Sequence, residues 1–101
     1  MRTIPISYNK DGFNHLLMHR DGDVAIYEKR KNHIDPTPDF VRYEVVIIRK
    51  YTRDNDFHHV KVGDEYLPCT NDWGRYGWTY VTLQEAKEKM SKIILEKEKK
   101  T

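Results

Sequence analysis

The sequence predicts an α+β domain: an antiparallel β-meander of four or five strands, packed on one face by a C-terminal α-helix. Three observations lead there. Short segments rich in Val, Ile and Tyr alternate with turn residues through the first two thirds of the chain. One helical stripe of apolar residues then follows, and only near the C-terminus. Between them lies Trp73-Gly74-Arg75-Tyr76-Gly77-Trp78-Thr79-Tyr80, which holds both tryptophans and two of the five glycines.

Taken in order, Ile4 to Tyr8 reads as a short edge strand, since Pro5 lacks an amide donor and suits only an edge or a strand start. Asn9-Lys10-Asp11-Gly12 is a turn by composition. Phe13–Arg20 and Asp23–Arg30 form a hairpin joined at Asp21-Gly22, a dipeptide suited to a type I′ turn. That register sets His19 opposite Val24, Met18 opposite Ala25, Leu17 opposite Ile26 and Leu16 opposite Tyr27. Lys31 to Asp39, with Pro36 and Pro38, is a loop. Phe40 to Lys50 is a central strand, because Val45-Val46-Ile47-Ile48 is apolar on both faces. Phe57–Val62 and Glu65–Leu67 suggest a further hairpin around Gly63-Asp64.

The helix is expected from Leu83 to about Glu96. Thr82 and Glu85 make a capping box, and Leu83, Ala86, Met90, Ile93 and Ile94 share one face. Residues 1–96 therefore form one domain, and residues 97–101 a charged tail that frays.

Composition bounds the function. Eighteen basic and sixteen acidic side chains leave a net charge of +2, too balanced to argue for nucleic acid on composition alone. Cys69 is the single cysteine, so no internal disulfide forms. The N-terminus lacks the apolar run of a signal peptide, and no segment approaches the ~20 apolar residues of a membrane span. The expected location is the cytoplasm, with no membrane partner.

Catalytic and metal signatures are not found in the sequence. Ser7 and Ser91 sit in no nucleophile turn, and no glycine-rich phosphate loop occurs. His15 and His19, four apart on a strand, lie ~13 Å from each other, too far for one metal ion. Cys69 has no cysteine partner at Cys-x-x-Cys spacing. The chain is thus expected not to be an enzyme and to use no cofactor or metal.

The candidate partner-binding residues are Trp73, Arg75 and Tyr76, with Arg49 and Lys50 after the central strand. Rings and guanidinium groups of this kind anchor protein interfaces. They also serve nucleic acids, with rings for bases and cations for phosphates. The alternative for the tryptophans is a structural corner sealing the core. The helix and tail carry a surplus of lysine, balanced in part by pairs such as Glu85–Lys89 and Glu88–Lys92.

Two resemblances rest on these residues. The segments Gly22–Glu28, Tyr43–Arg49 and Trp73–Tyr80, with Leu83 and Ala86, resemble a family of small uncharacterised proteins of bacteriophages and their bacterial hosts. That resemblance implies an accessory protein in the host cytoplasm and supplies no activity. Trp73-Gly74-Arg75-Tyr76-Gly77, followed by Leu83-Gln84-Glu85-Ala86, is similar to the core of WGR domains. That likeness implies a DNA contact at Trp73 and Arg75. The reading is a non-enzymatic binding module that docks on a protein partner or on a second copy of itself, with nucleic-acid binding as the alternative.

Overall fold

A computed structural model describes residues 2–31 and 41–99. Its main sheet has five antiparallel strands in the order β1 (Ser7–Lys10), β2 (Phe13–Asp21), β3 (Val24–Lys31), β4 (Val41–Ile47) and β7 (Gly77–Tyr80). The strands β5 (Arg49–Lys50) and β6 (Glu65–Tyr66) form a two-stranded ladder between β4 and β7 in the chain. The helix α1 (Leu83–Lys99) covers one face of the main sheet. The α+β architecture is the one the sequence predicts. The loop expected over residues 32–39, the strand start at residue 40 and the last two residues of the tail lie outside the described residues.

Alternation along β3 and β4 builds two cores. Val24, Ile26 and Val45 face α1 and meet Ala86, Met90 and Ile93. Ala25, Tyr27, Val46 and Ile48 face the opposite side and meet Ile4 from the N-terminal segment. Each buried Val or Ile contributes roughly 1.5–3 kcal/mol, so neither face can be left to water without loss of the fold. The helix starts at the expected cap: Thr82 Oγ1 accepts the Glu85 N–H at 3.2 Å, and its hydroxyl donates to Glu85 Oε1 at 2.9 Å. It runs three residues beyond the expected end, and Lys97 Nζ reaches Asp23 Oδ2 at 3.1 Å.

The hairpins differ from the sequence-based register. The turn with two left-handed residues is Asp11-Gly12, at φ 55° and 82°, as a type I′ turn requires. It joins β1 to β2 and places β1 three residues later than expected. In the next hairpin the turn is Gly22-Asp23, with Gly22 alone at positive φ (60°), the pattern of a type II′ turn. Val24 therefore pairs with Asp21, Ala25 with Arg20 and Ile26 with His19. A bulge at Met18 then shifts the register, so that Leu17 pairs with Tyr27 and His15 with Lys29. Leu17 and His15 accordingly lie on the face away from the helix.

The expected hairpin around Gly63-Asp64 does not form. Residues 57–59 make a turn closed by reciprocal Asn55–Val60 backbone bonds of 2.9 and 3.0 Å. Asp64 is buried and accepts the amides of Arg2 (2.8 Å) and Lys61 (3.0 Å) rather than marking a tip. Glu65–Tyr66 pairs with Arg49–Lys50 instead. Arg20 and the Ile4 amide both bind Glu65, which ties this lobe and the N-terminal segment across the second face.

Gly77 is required for room rather than for its φ. A Cβ there would lie 2.6 Å from Cζ3 of Trp73, whose indole lies flat over it. We expect Gly77→Ala to cost about 1–3 kcal/mol in urea unfolding, and most of that cost to vanish in a Trp73→Ala background. Equal costs in both backgrounds would show that the packing of Trp73 on Gly77 is not the reason.

Candidate functional site

The second face of the sheet is only partly covered. The N-terminal segment and Leu67 close one end of it, and the remainder is a groove of about 370 Å3. Tyr8 and Phe13 stand on one side of this groove, and Leu67, Pro68 and Trp73 on the other. Trp73 is held in place by Gly77 beneath it and by a 3.0 Å hydrogen bond from Nε1 to Thr79 Oγ1.

The floor is charged. Glu44 lies in the middle of β4 and is buried, with 6% of its surface exposed. His15, 3% exposed, reaches it across β3 with Nε2 3.2 Å from Oε1. Lys29 approaches the other oxygen, Oε2, at 3.7 Å. Its ammonium also sits over the Phe13 ring, 4.4 Å from the centroid. The Tyr8 ring stacks on His15 at 4.4 Å, only 4° from parallel, and Nδ1 of His15 is buried without a hydrogen-bond partner.

Burial sets the protonation here. Loss of solvent lowers the His15 pKa below its ordinary value; the Glu44 carboxylate opposes this and Lys29 reinforces it. The imidazole is therefore neutral near pH 7, with Nε2 facing Glu44 Oε1. Burial first, and then the Glu44 charge, push the Tyr8 phenol up. Tyr27, whose hydroxyl donates to the Pro5 carbonyl at 2.5 Å, is raised by burial to about 12.

The residues singled out in the sequence gather at the neighbouring corner. Arg49 carries its guanidinium 4.0 Å from the Tyr76 ring centroid and 4.9 Å from that of Tyr66. Arg75 lies 5.6 Å from the Tyr76 ring centroid, and Tyr51 packs on Tyr66 at 4.5 Å. The result is a ladder: Arg75, Tyr76, Arg49, Tyr66, Tyr51. Asp72 locks it by accepting from Arg49 Nη2 at 2.5 Å. The Cys69 amide (3.0 Å) and thiol (3.2 Å) bind the same carboxylate, and these bonds, with Arg49, hold Asp72 below the usual carboxylate range. Lys50 is exposed on β5, and its cross-strand neighbour Glu65 is already taken by Arg20. Trp73 is 38% exposed and belongs to the groove wall, whereas Trp78 packs under α1 with Lys89 over its ring at 4.3 Å.

No protein-family model matches the chain, and neither does any curated protein or solved structure. Among the described residues no group of three His, Cys, Asp or Glu side chains is placed to hold a metal ion, and no helix is long and apolar enough to cross a membrane.

Lys29 and Glu44 were not among the sequence candidates, and His15 was considered there only as a metal ligand. The signal available was Glu44 itself, a carboxylate between Tyr43 and Val45 in the most apolar strand.

The sign of the pH dependence follows from the lowered His15 pKa. Above the unfolded value of ~6.5 the folded and unfolded chains both hold His15 neutral, and the fold keeps its full stability. As pH falls below that value the unfolded chain takes up the proton first, and stability drops. Denaturant unfolding of the wild type should weaken from pH 6.5 to 5.5, and His15→Gln should flatten that slope. Glu65, lowered to about 2 mainly by its hydrogen bonds with Arg20, adds a second loss as pH falls from 4.5 toward 2. A wild-type profile flat down to pH 5 would contradict the burial of a neutral His15.

Proposed function

We propose that this protein is a non-enzymatic binding module that docks on a protein partner, seating part of that partner in the groove of the second sheet face. The observation that carries this is the ring-walled groove with Glu44 paired to His15 and Lys29 at its floor. A volume of about 370 Å3 falls within the range of ordinary ligand and anchor pockets. Apolar walls supply the area of contact and a few fixed polar groups set orientation. A buried charge pair contributes little to net stability and often less than an apolar replacement. Its presence in so small a core is accounted for if the floor serves recognition.

The walls are preformed. Trp73 is pinned by Gly77 and Thr79, and Tyr8 by its stack on His15. Little side-chain freedom remains to be lost on docking, which favours affinity. The exposed edge of the Arg75–Tyr76 corner lies beside Trp73 in the chain and extends the contact with the residue types that dominate interfaces.

Cross-linking capture from cells that produce the protein tests this reading. Thr70→Trp narrows the mouth of the groove, Trp73→Ala removes a wall, and Lys92→Glu alters the distant helix surface. The partner held by the wild type should be retained by Lys92→Glu and weakened roughly tenfold or more by either groove variant. Retention of the same partner by both groove variants would overturn the proposal, as would a wild type that captures nothing.

A further inference from the structure

Residues 49–76, the lobe around β5 and β6, hold five cations and five carboxylates, and the docking of Arg2 and Arg20 on two of those carboxylates leaves a surplus of two positive charges. Every carboxylate of residues 49–76 already has a partner. Asp54 accepts the Val62 amide at 2.8 Å and Asp56 faces Lys61 at 3.5 Å. Asp64 holds two amides, Glu65 is bound by Arg20, and Asp72 by Arg49. Lys50, Arg53 and Arg75 are exposed and stand in no ion pair among the described residues. Two arginines from outside the lobe, Arg2 and Arg20, consume carboxylates that would otherwise neutralise these cations.

The same lobe has a cavity of its own, about 370 Å3, bordered by Lys50, Tyr51, Arg53, Asn55, His58 and Tyr66, with Asp54 beside them. Asn55 Oδ1 accepts the His58 amide at 3.3 Å, which leaves the Asn55 amide group as a donor. Two tyrosines, an imidazole, an amide and two permanent cations, with the single Asp54 carboxylate among them, thus border one depression. Such a border suits oxygen anions.

We infer that this lobe is a second contact surface, one that takes the carboxylates of an acidic polypeptide segment. The inference concerns a surface separate from the groove and does not depend on it. The rings of the ladder are poorly placed to stack on a nucleic acid. Base stacking needs free ring faces. Here the Arg49 guanidinium lies over both Tyr76 and Tyr66, Arg75 approaches Tyr76 and Tyr51 packs on Tyr66, so these rings are already engaged within the ladder. Lys50, Arg53 and Arg75 remain outward, and a flexible Glu- or Asp-rich stretch can satisfy them without stacking. The net charge of the whole chain, +2, likewise suits a short acidic stretch better than a long polyphosphate.

The test is fluorescence anisotropy at low salt with two labelled probes, a dodecapeptide of alternating Glu and Ser and a twelve-nucleotide oligothymidylate. The wild type should bind the peptide more tightly than the oligonucleotide, and binding should weaken as salt rises through the ~0.1 M range. The double variant Lys50→Ala/Arg53→Ala should lose about tenfold in peptide affinity. The helix variant Lys87→Ala/Lys92→Ala should keep it, which separates this surface from general positive charge. Circular dichroism of each variant confirms that the exposed substitutions leave the fold intact. The inference is overturned if the peptide does not bind, if the lobe variant binds it as the wild type does, or if the oligonucleotide binds more tightly.

Discussion

Two central strands that bury both of their faces impose the plan of this molecule. Residues Val24 to Tyr27 and Glu44 to Val46 are all withdrawn from solvent, whichever way their side chains point. A sheet of this kind is stable only if something covers each side. The helix supplies one cover in a single piece. The other is assembled from smaller parts: the segment around Ile4, the two-stranded lobe and the indole of Trp73. Those parts do not meet across the whole face, and the gap between them is the groove.

The composite cover also explains the placement of the ion pairs. Glu65 is bound by Arg20 from β2 and by the Ile4 amide, so one carboxylate fixes both the lobe and the N-terminal segment against the sheet. Asp72 does the same for the passage into β7, gathering Arg49 and Cys69. These carboxylates sit where elements must be joined without an extended apolar interface. Glu44 differs from them. It joins side chains of three strands already held by their own backbone ladders, so the sheet does not need it for alignment.

Much of the fold was legible in the residues. Alternation in Val24–Tyr27 and Val45–Ile48 placed the two faces correctly, and Thr82 with Glu85 located the helix start. The Asp-Gly rule was sound but applied to the wrong dipeptide: Asp11-Gly12 has the doubly left-handed turn, and Gly22 opens a different one. The bulge at Met18 left no local signature, because which residue is extra depends on which side chains fit the second core. That single shift decides that His15 rather than Leu16 faces Glu44. The corner of Arg49, Arg75 and Tyr76 was visible as a composition, and its order as a ladder was not. Tyr51 and Tyr66 arrive from a lobe whose pairing runs between segments fifteen residues apart. The lobe's hairpin was misread for the same reason, since Asp64 is claimed by the distant Arg2 amide.

The claim at the centre of this account is that the buried His15–Glu44 pair serves the groove and not the fold. The most direct measurement is the unfolding free energy of His15→Leu, Glu44→Leu and the double variant. Glu44→Leu leaves the neutral His15 buried and unpaired, His15→Leu leaves the buried Glu44 carboxylate with Lys29 alone, and each should cost about 1–3 kcal/mol. The double change removes both polar groups, while Lys29 stays near solvent, and its stability should equal or exceed that of the wild type. A double variant as unstable as the singles would show that the pair holds the sheet together, and the groove floor would then be structural.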